Sequence, residues 1–359
     1  MKKSLSIFVF LLLSILTYAQ DSTATLSGTG MEGFKFDDSF RGSSAVRVMF
    51  YNVENLFDIY DDTLKNDESF TPDGDHHWNN YKYYQKLNNL SKTMVAVGGW
   101  EAVEVIGLCE IENKKVLLDL VKQESLKPTN YQIIHKESPD KRGIDVALLY
   151  RADKIRIDTV QWINVFLGKD QRPTRDILYA TLRTENDAVF HVFVNHWPSR
   201  YGGQMKSDPK RKMAAKAIRV VIDSILVSST QPNLLLMGDF NDEPENESIQ
   251  DVLRAKNDTS FTDTTELYNM MSNFHGNHGS HKYQGNWGVL DQFMVSKSIY
   301  KGDSKLKVKD GPLIFAAPFL FTKETKYPGV KPYRSYIGRK YSGGYSDHLP
   351  IFIDLQLLK

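Results

Sequence analysis

Leu234-Leu235-Leu236-Met237-Gly238-Asp239-Phe240-Asn241-Asp242-Glu243-Pro244 is the stretch on which the fold turns. Its first four residues are continuously apolar, the pattern of a strand buried on both faces. Its end sets an acid, Asp239, and an amide, Asn241, two residues apart, so in an extended chain both side chains leave one face. A terminus of this kind aims hydrogen-bonding groups at a phosphate or a metal-bound water. Other strand-like runs end the same way, at Asn52, Glu110, His196, Asp291 and Asp347-His348. One polar strand end means little. Six, drawn from Asp, Glu, Asn and His, predict a catalytic floor assembled at the ends of sheet strands.

Working outward, apolar or alternating runs predict strands over 46–52, 103–110, 144–150, 177–182, 189–196, 289–295 and 350–355. Helical spacing falls between some of them, over 80–97 and 113–122. A third helix is expected after Ser207-Asp208-Pro209, with proline just inside its start and Met213, Ala217, Val220, Val221 and Ile225 on one face. No repeat, low-complexity linker or composition shift divides the chain. The polar ends run from Asn52 to His348, so one α/β domain over residues 45–359 is expected.

The first 19 residues read as a signal peptide. Lys2 and Lys3 precede a short apolar core over 7–16, and Thr17-Tyr18-Ala19 supplies a small residue at the cleavage point. That core is well short of the ~20 residues needed to span a bilayer, so no membrane span is expected after cleavage. Residues 20–44 read as a flexible lead-in. Losing the leader takes the formal charge from +1 to −1, because Lys2 and Lys3 leave with it. A near-neutral chain has no global attraction to nucleic acid, so any phosphate binding must be local. The single cysteine, Cys109, excludes an intramolecular disulfide and reads as core filler within an apolar strand. An exported protein, periplasmic or extracellular, with no stable protein partner is the expectation.

In order along the chain, the motifs are Tyr51-Asn52-Val53-Glu54, Gly107-Leu108-Cys109-Glu110, Asn195-His196-Trp197-Pro198, Gly238-Asp239-Phe240-Asn241, Leu290-Asp291-Gln292-Phe293 and Ser346-Asp347-His348-Leu349-Pro350. Together they resemble the endonuclease/exonuclease/phosphatase superfamily, which includes DNase I-like nucleases, abasic-site endonucleases, sphingomyelinases and inositol polyphosphate phosphatases. The resemblance implies a four-layer α/β sandwich, with two mixed sheets face to face and helices outside. It implies a phosphoester hydrolase that uses Mg²⁺ or Mn²⁺. Glu110 is the expected direct metal ligand, with Asn52, Glu54 and Asp347 completing or orienting the shell. Asp239 would orient or activate the attacking water, with Asn241 beside it. His348 would pair with Asp291, and His196 would donate to a phosphoryl or leaving-group oxygen.

Arg175 and Arg200 stand beside motif strands, and a guanidinium fork matches phosphate oxygens, so both are expected to bind substrate. With the aromatics Tyr283 and Trp287 they point to nucleic acid as substrate, and the segment 196–200 is similar to exported nuclease-like members. Two alternatives stay open. One is a lipid or small-phosphoester hydrolase, for which the aromatic segment 313–341 would supply the surface. The other is a non-catalytic binding module on the same scaffold. Glu112 and Asp242 are expected in solvent or behind the ligands, His191 as a satisfied core or surface histidine, and His76, His77, His275, His278 and His281 in loops.

Overall fold

The computed structural model describes residues 44–259, 263–276 and 278–359. The expected leader, and the lead-in up to residue 43, lie outside them. Strands β1 (Ala45–Leu56), β2 (Val105–Ile111), β3 (Tyr131–His135) and β4 (Asp145–Arg151) begin a first sheet. Strands β5 (Ile155–Ile163), β6 (Ile177–Thr184), β7 (Val189–His196), β8 (Leu234–Asp239), β9 (Ala255–Lys256) and β10 (Leu267–Asn269) begin a second. After a hairpin of β11 (His281–Tyr283) and β12 (Asn286–Gly288), β13 (Asp291–Ser296) returns to the second sheet. Strands β14 (Leu306–Val308) and β15 (Leu313–Ile314) return to the first. Two small hairpins follow, β16 (Phe321–Lys323) with β17 (Val330–Pro332) and β18 (Tyr336–Ile337) with β19 (Lys340–Tyr341), before β20 (Ile351–Leu357) closes the first sheet.

Among the described residues each large sheet has seven strands, ordered β14-β20-β1-β2-β4-β3 (with β15 also on β20) and β5-β6-β7-β8-β13-β10-β9. Both are mixed: β1 runs parallel to β2 and β7 to β8, while the neighbouring pairs β1–β20 and β8–β13 are antiparallel. The buried run before Gly238 explains the layering. Leu235 and Met237 point into the core between the sheets, whereas Leu234 and Leu236 point outward under a helix. Gly107 of β2 shows how closely the sheets meet, since an added Cβ there would lie 2.7 Å from the Met237 side chain. Helices α1 (Asn80–Gly98) and α2 (Lys114–Val121) accompany the first sheet, and α3 (Gln204–Ser228) covers the second. The four-layer sandwich is therefore present. No helix among the described residues is long and apolar enough to cross a membrane.

Two expectations about α3 are corrected. It starts at Gln204, not after Ser207, so Pro209 sits inside it. Proline there forfeits one backbone bond, to the carbonyl of Met205, and Met205 is 91% exposed, so the loss falls where solvent can replace it. The buried face is also rotated from the apolar one. Ala214, Ala215, Ile218 and Ile222 are buried with Arg211 and Arg219, while Val220 lies outward. Arg211 is buried because Asp242 pairs with it at 2.7 Å, and Arg219 because the Thr265 carbonyl accepts from it at 2.9 Å. A period counted on apolar residues alone misses charged residues that bring their partners with them.

The segment 313–341 is a correction as well. Phe315, Leu320 and Tyr336 are buried, and Phe319, Tyr327 and Tyr333 are half-buried. Lys86 of α1 donates to Ser335 within it, and Lys86 and Asn89 bind the backbone just beyond it, at Tyr345 and at Gly343 and Gly344. Its rings are packed inward and do not form an exposed apolar surface.

Candidate active site

The register brings three of the polar ends side by side. His196 of β7 lies opposite Asp239 of β8, and Asp239 lies opposite Asp291 of β13. Gly238 permits this approach, since a Cβ at that position would sit 2.4 Å from the Cβ of Asn195. The first sheet reaches across the sandwich: Asn52 Nδ2 donates to Asp239 Oδ2 at 3.1 Å. Ser346 donates to the Asn52 carbonyl at 2.7 Å and accepts from the His348 backbone at 3.1 Å, which ties the turn before β20 to β1. His196 Nε2 stands 3.7 Å from Asp239 and 3.8 Å from Glu110. Asn52, Glu110, His196, Asp239, Asn241, Asp291 and His348 thus come together in one cluster.

Backbone irregularity aims several of these groups. The β1–β2 register shifts between Asn52 and Leu56, and the β2–β4 register shifts between Cys109 and Ile111. At these bulges Glu54, Asn55 and Glu110 take left-handed φ values of 51°, 54° and 64°. Non-glycine residues rarely adopt that conformation, and bulges commonly re-aim side chains beside active sites. The Asn55 backbone donates to Glu110 Oε2 at 2.8 Å, which leaves Oε1 toward His196. Asn241, with φ of 51°, donates its backbone N–H to Asp239 Oδ1 at 2.9 Å. Its amide donates to the Trp197 carbonyl at 3.1 Å, so its role here is to hold Asp239.

The electrostatics separate the titratable groups. Burial pulls the His348 pKa down, but Asp291, hydrogen-bonded at Nδ1 at 2.6 Å, together with Asp239 and Asp347, carries it well above the ordinary histidine value. These carboxylates favour the charged form of His348. Burial raises Asp239 to about 7, against the pull of His348. Burial, reinforced by Arg175 and Arg142, holds His196 well below its ordinary value, so it is neutral. Two groups whose environments drive their pKa values apart are the mark of an acid–base pair.

Glu54, Asp347 and the two arginines are held differently from the expectation. Glu54 accepts from Arg334 at 2.9 Å and from the Ser335 backbone at 2.6 Å, with Lys86 at 4.0 Å. Arg334 also pairs with Asp347 at 3.0 Å. Both carboxylates thus share an internal cation. Arg175 is 4% exposed, donates to the carbonyls of His196 and Trp197, and pairs with Asp140 at 3.0 Å. It positions the β7 end, and it also lies in the wall of the groove described below. Arg200 donates to the Asn241 carbonyl at 2.8 Å and lies near Asp242 and Glu243, so its fork is largely spent on the loop after β8. Asp242 and Glu112 are buried, not solvated. His191 is satisfied by Tyr179 at 2.8 Å.

Sequence reasoning missed Arg334, Lys86, Ser280 and His281. Ser280 donates to Asp291, and the His281 ring lies 4.7 Å from that of His348. Only His281 had a local signal, its place in a histidine-rich stretch ten residues before Asp291; it was expected in a loop but begins strand β11.

A hard divalent cation fits this donor set. The oxygens of Glu110, Asp347 and Asn52 are the kind such ions prefer, and Glu110 Oε1 is turned toward His196. Asp347 with His281 and His348, and Asp239 with Asp291 and His348, are clusters whose donor atoms lie within 4.8 Å of one another. The second is largely committed to the His348–Asp291 hydrogen bond, which leaves the Glu110 side as the better seat.

A model of the Endonuclease/Exonuclease/phosphatase family matches residues 47–357, and the chain belongs to that family, whose members are metal-dependent phosphoester hydrolases. A comparison with curated proteins returned no match. Among solved structures, the human Nocturnin catalytic domain with bound sulfate has a TM-score of 0.54 at 16% identity, over 88% of this chain and 95% of that one. TDP2 of D. rerio, complexed with single strand DNA product, has a TM-score of 0.53 at 13% identity, over 88% of this chain and 100% of that one. A mannosyl-6-phosphatase of Bacteroides thetaiotaomicron has a TM-score of 0.54 at 17% identity, over 86% of this chain and 99% of that one. At these identities the structures share the fold.

Proposed function

We propose that this family member is an exported phosphodiesterase that hydrolyses nucleic acid, most readily as a single strand. The observation that carries the reading is an open groove of about 950 Å³ running from Asp140 past Thr174 and Pro198 to Lys210. Lys141, Arg142, Arg172, Lys206 and Lys210 line it, and its one acid, Asp140, is buried against Arg175. Tyr201, 93% exposed, stands on the same wall. A cationic track with an exposed ring suits a strand whose phosphates bind the charges and whose bases stack. Export rests on the leader over residues 1–19.

In this reading Asp239 takes a proton from the attacking water. Asn52 and the Asn241 backbone hold its two oxygens. His348, kept charged by Asp291, faces Asp239 and stabilises negative charge as it grows. Neutral His196 offers Nε2–H to a phosphoryl oxygen. A divalent cation held by Glu110, with Asn52 and Asp347 around it, would withdraw charge from the phosphoryl oxygens. The test is a substrate panel in Mg²⁺ or Mn²⁺ and in EDTA. Cleavage of single-stranded DNA or RNA that EDTA abolishes is expected. Turnover confined to a sugar phosphate or a phospholipid would overturn the substrate. Oligonucleotide binding without turnover of any substrate would make the chain a binding module.

A further inference from the structure

A second cavity of about 240 Å³ opens between the loop after β1 and the turn before β18. Its floor belongs to the catalytic centre: Asn55, which holds Glu110, and Arg334, which spans Glu54 and Asp347. Its walls are aromatic. The rings of Phe70 and His76 stack at 4.5 Å, and Tyr336 stands edge-on to His76 at 4.6 Å. The wall is held before any ligand arrives, because Tyr336 donates to the His76 carbonyl and Trp78 to that of Phe57, both at 2.9 Å. Arg334 spends Nε and one terminal nitrogen on carboxylates and is 41% exposed, which leaves its other terminal nitrogen for an anion.

We propose that this cavity is a subsite for the nucleobase next to the phosphate under attack, with Arg334 gripping that phosphate and the rings of Phe70, His76 and Tyr336 enclosing the base. Size favours one ring system, since a cavity of about 150 Å³ is enough for a benzene ring. Stacked rings beside a guanidinium select a flat group joined to an anion over an acyl chain or a lone phosphate. The subsite rests on the nucleic-acid reading above and gives that substrate its polarity: the base enters here and the remaining strand leaves along the groove.

The experiment is calorimetric titration of the metal-free protein in EDTA with AMP and with ribose 5-phosphate, which differ by the base. AMP is expected to bind about 5- to 100-fold more tightly, the range for one stacked base. His76→Ala and Phe70→Leu should each remove most of that advantage and leave ribose 5-phosphate binding unchanged. Two variants are used so that one whose melting temperature collapses does not decide the matter. Equal affinities in the unaltered protein, no binding of either ligand, or an advantage that survives in a folded variant would overturn the subsite. A preference for AMP without cleavage of DNA or RNA would keep the subsite and remove the nuclease reading. Cleavage without the preference would do the reverse.

Discussion

The two flanks of the catalytic centre are built from opposite materials. Beside His196 lies a wide, open, cationic groove whose lysines and arginines come from loops and the start of α3. Beside Glu54 lies a narrow cavity walled by rings that are already packed against one another. Between them, buried Asp239, Asp291 and His196 are fixed by strand register, and buried His348 is held by its bond to Asp291. The difference separates the tasks. In the proposed reading the centre carries the chemistry, while the asymmetry of its flanks selects the phosphoester and its direction.

Damage at the centre should not distinguish the flanks. His348→Ala is expected to cut kcat by roughly 10²- to 10⁴-fold on every substrate, the usual loss for a group of this kind. Steady-state kinetics on an oligonucleotide and on a small phosphodiester would check it. A loss confined to the oligonucleotide would place His348 in binding.

Asp239→Asn should show the cost at which the centre is held. Asp239 titrates near 7 in the folded chain because of its burial, well above the ordinary carboxylate value of 3.8. A raised acid pKa means that ionisation opposes folding, so the penalty is absent below about pH 4 and grows as pH rises toward 7. Three pKa steps correspond to about 4 kcal/mol, of which lost hydrogen bonds return about 1–2. The metal-free variant should therefore be more stable by ~2 kcal/mol at pH 8 and no more stable at pH 4. Urea unfolding in EDTA at both values reads this out. In the unaltered enzyme, kcat/KM should rise with pH through about 7 as Asp239 ionises.

The centre was more legible in the sequence than the flanks. Strand ends could be read because burial and alternation are local: β7 and β8 run over the residues expected, and so, within two residues, do α1 and α2. The edge strands β3 and β5 escaped because they are half-exposed and lack an apolar run. The internal bonds of Arg175 were hidden for a related reason. Nearness to a motif strand does not say which way a side chain turns, and this one turns inward to the carbonyls of His196 and Trp197. Lys141 and Arg142 lie in a turn with no motif, and Arg334 meets Glu54 across 280 positions of chain. Only the folded sandwich brings them together.

The central claim is that the groove carries a polyanion, and the salt dependence of KM on a single-stranded oligonucleotide tests it most directly. Each phosphate contact adds about 0.7 to the slope of log affinity against log salt for a single strand. The Arg172→Gln/Lys206→Gln variant should lower that slope by about 1.4, with kcat and the KM of a small phosphodiester unchanged. An unaltered slope would contradict the account.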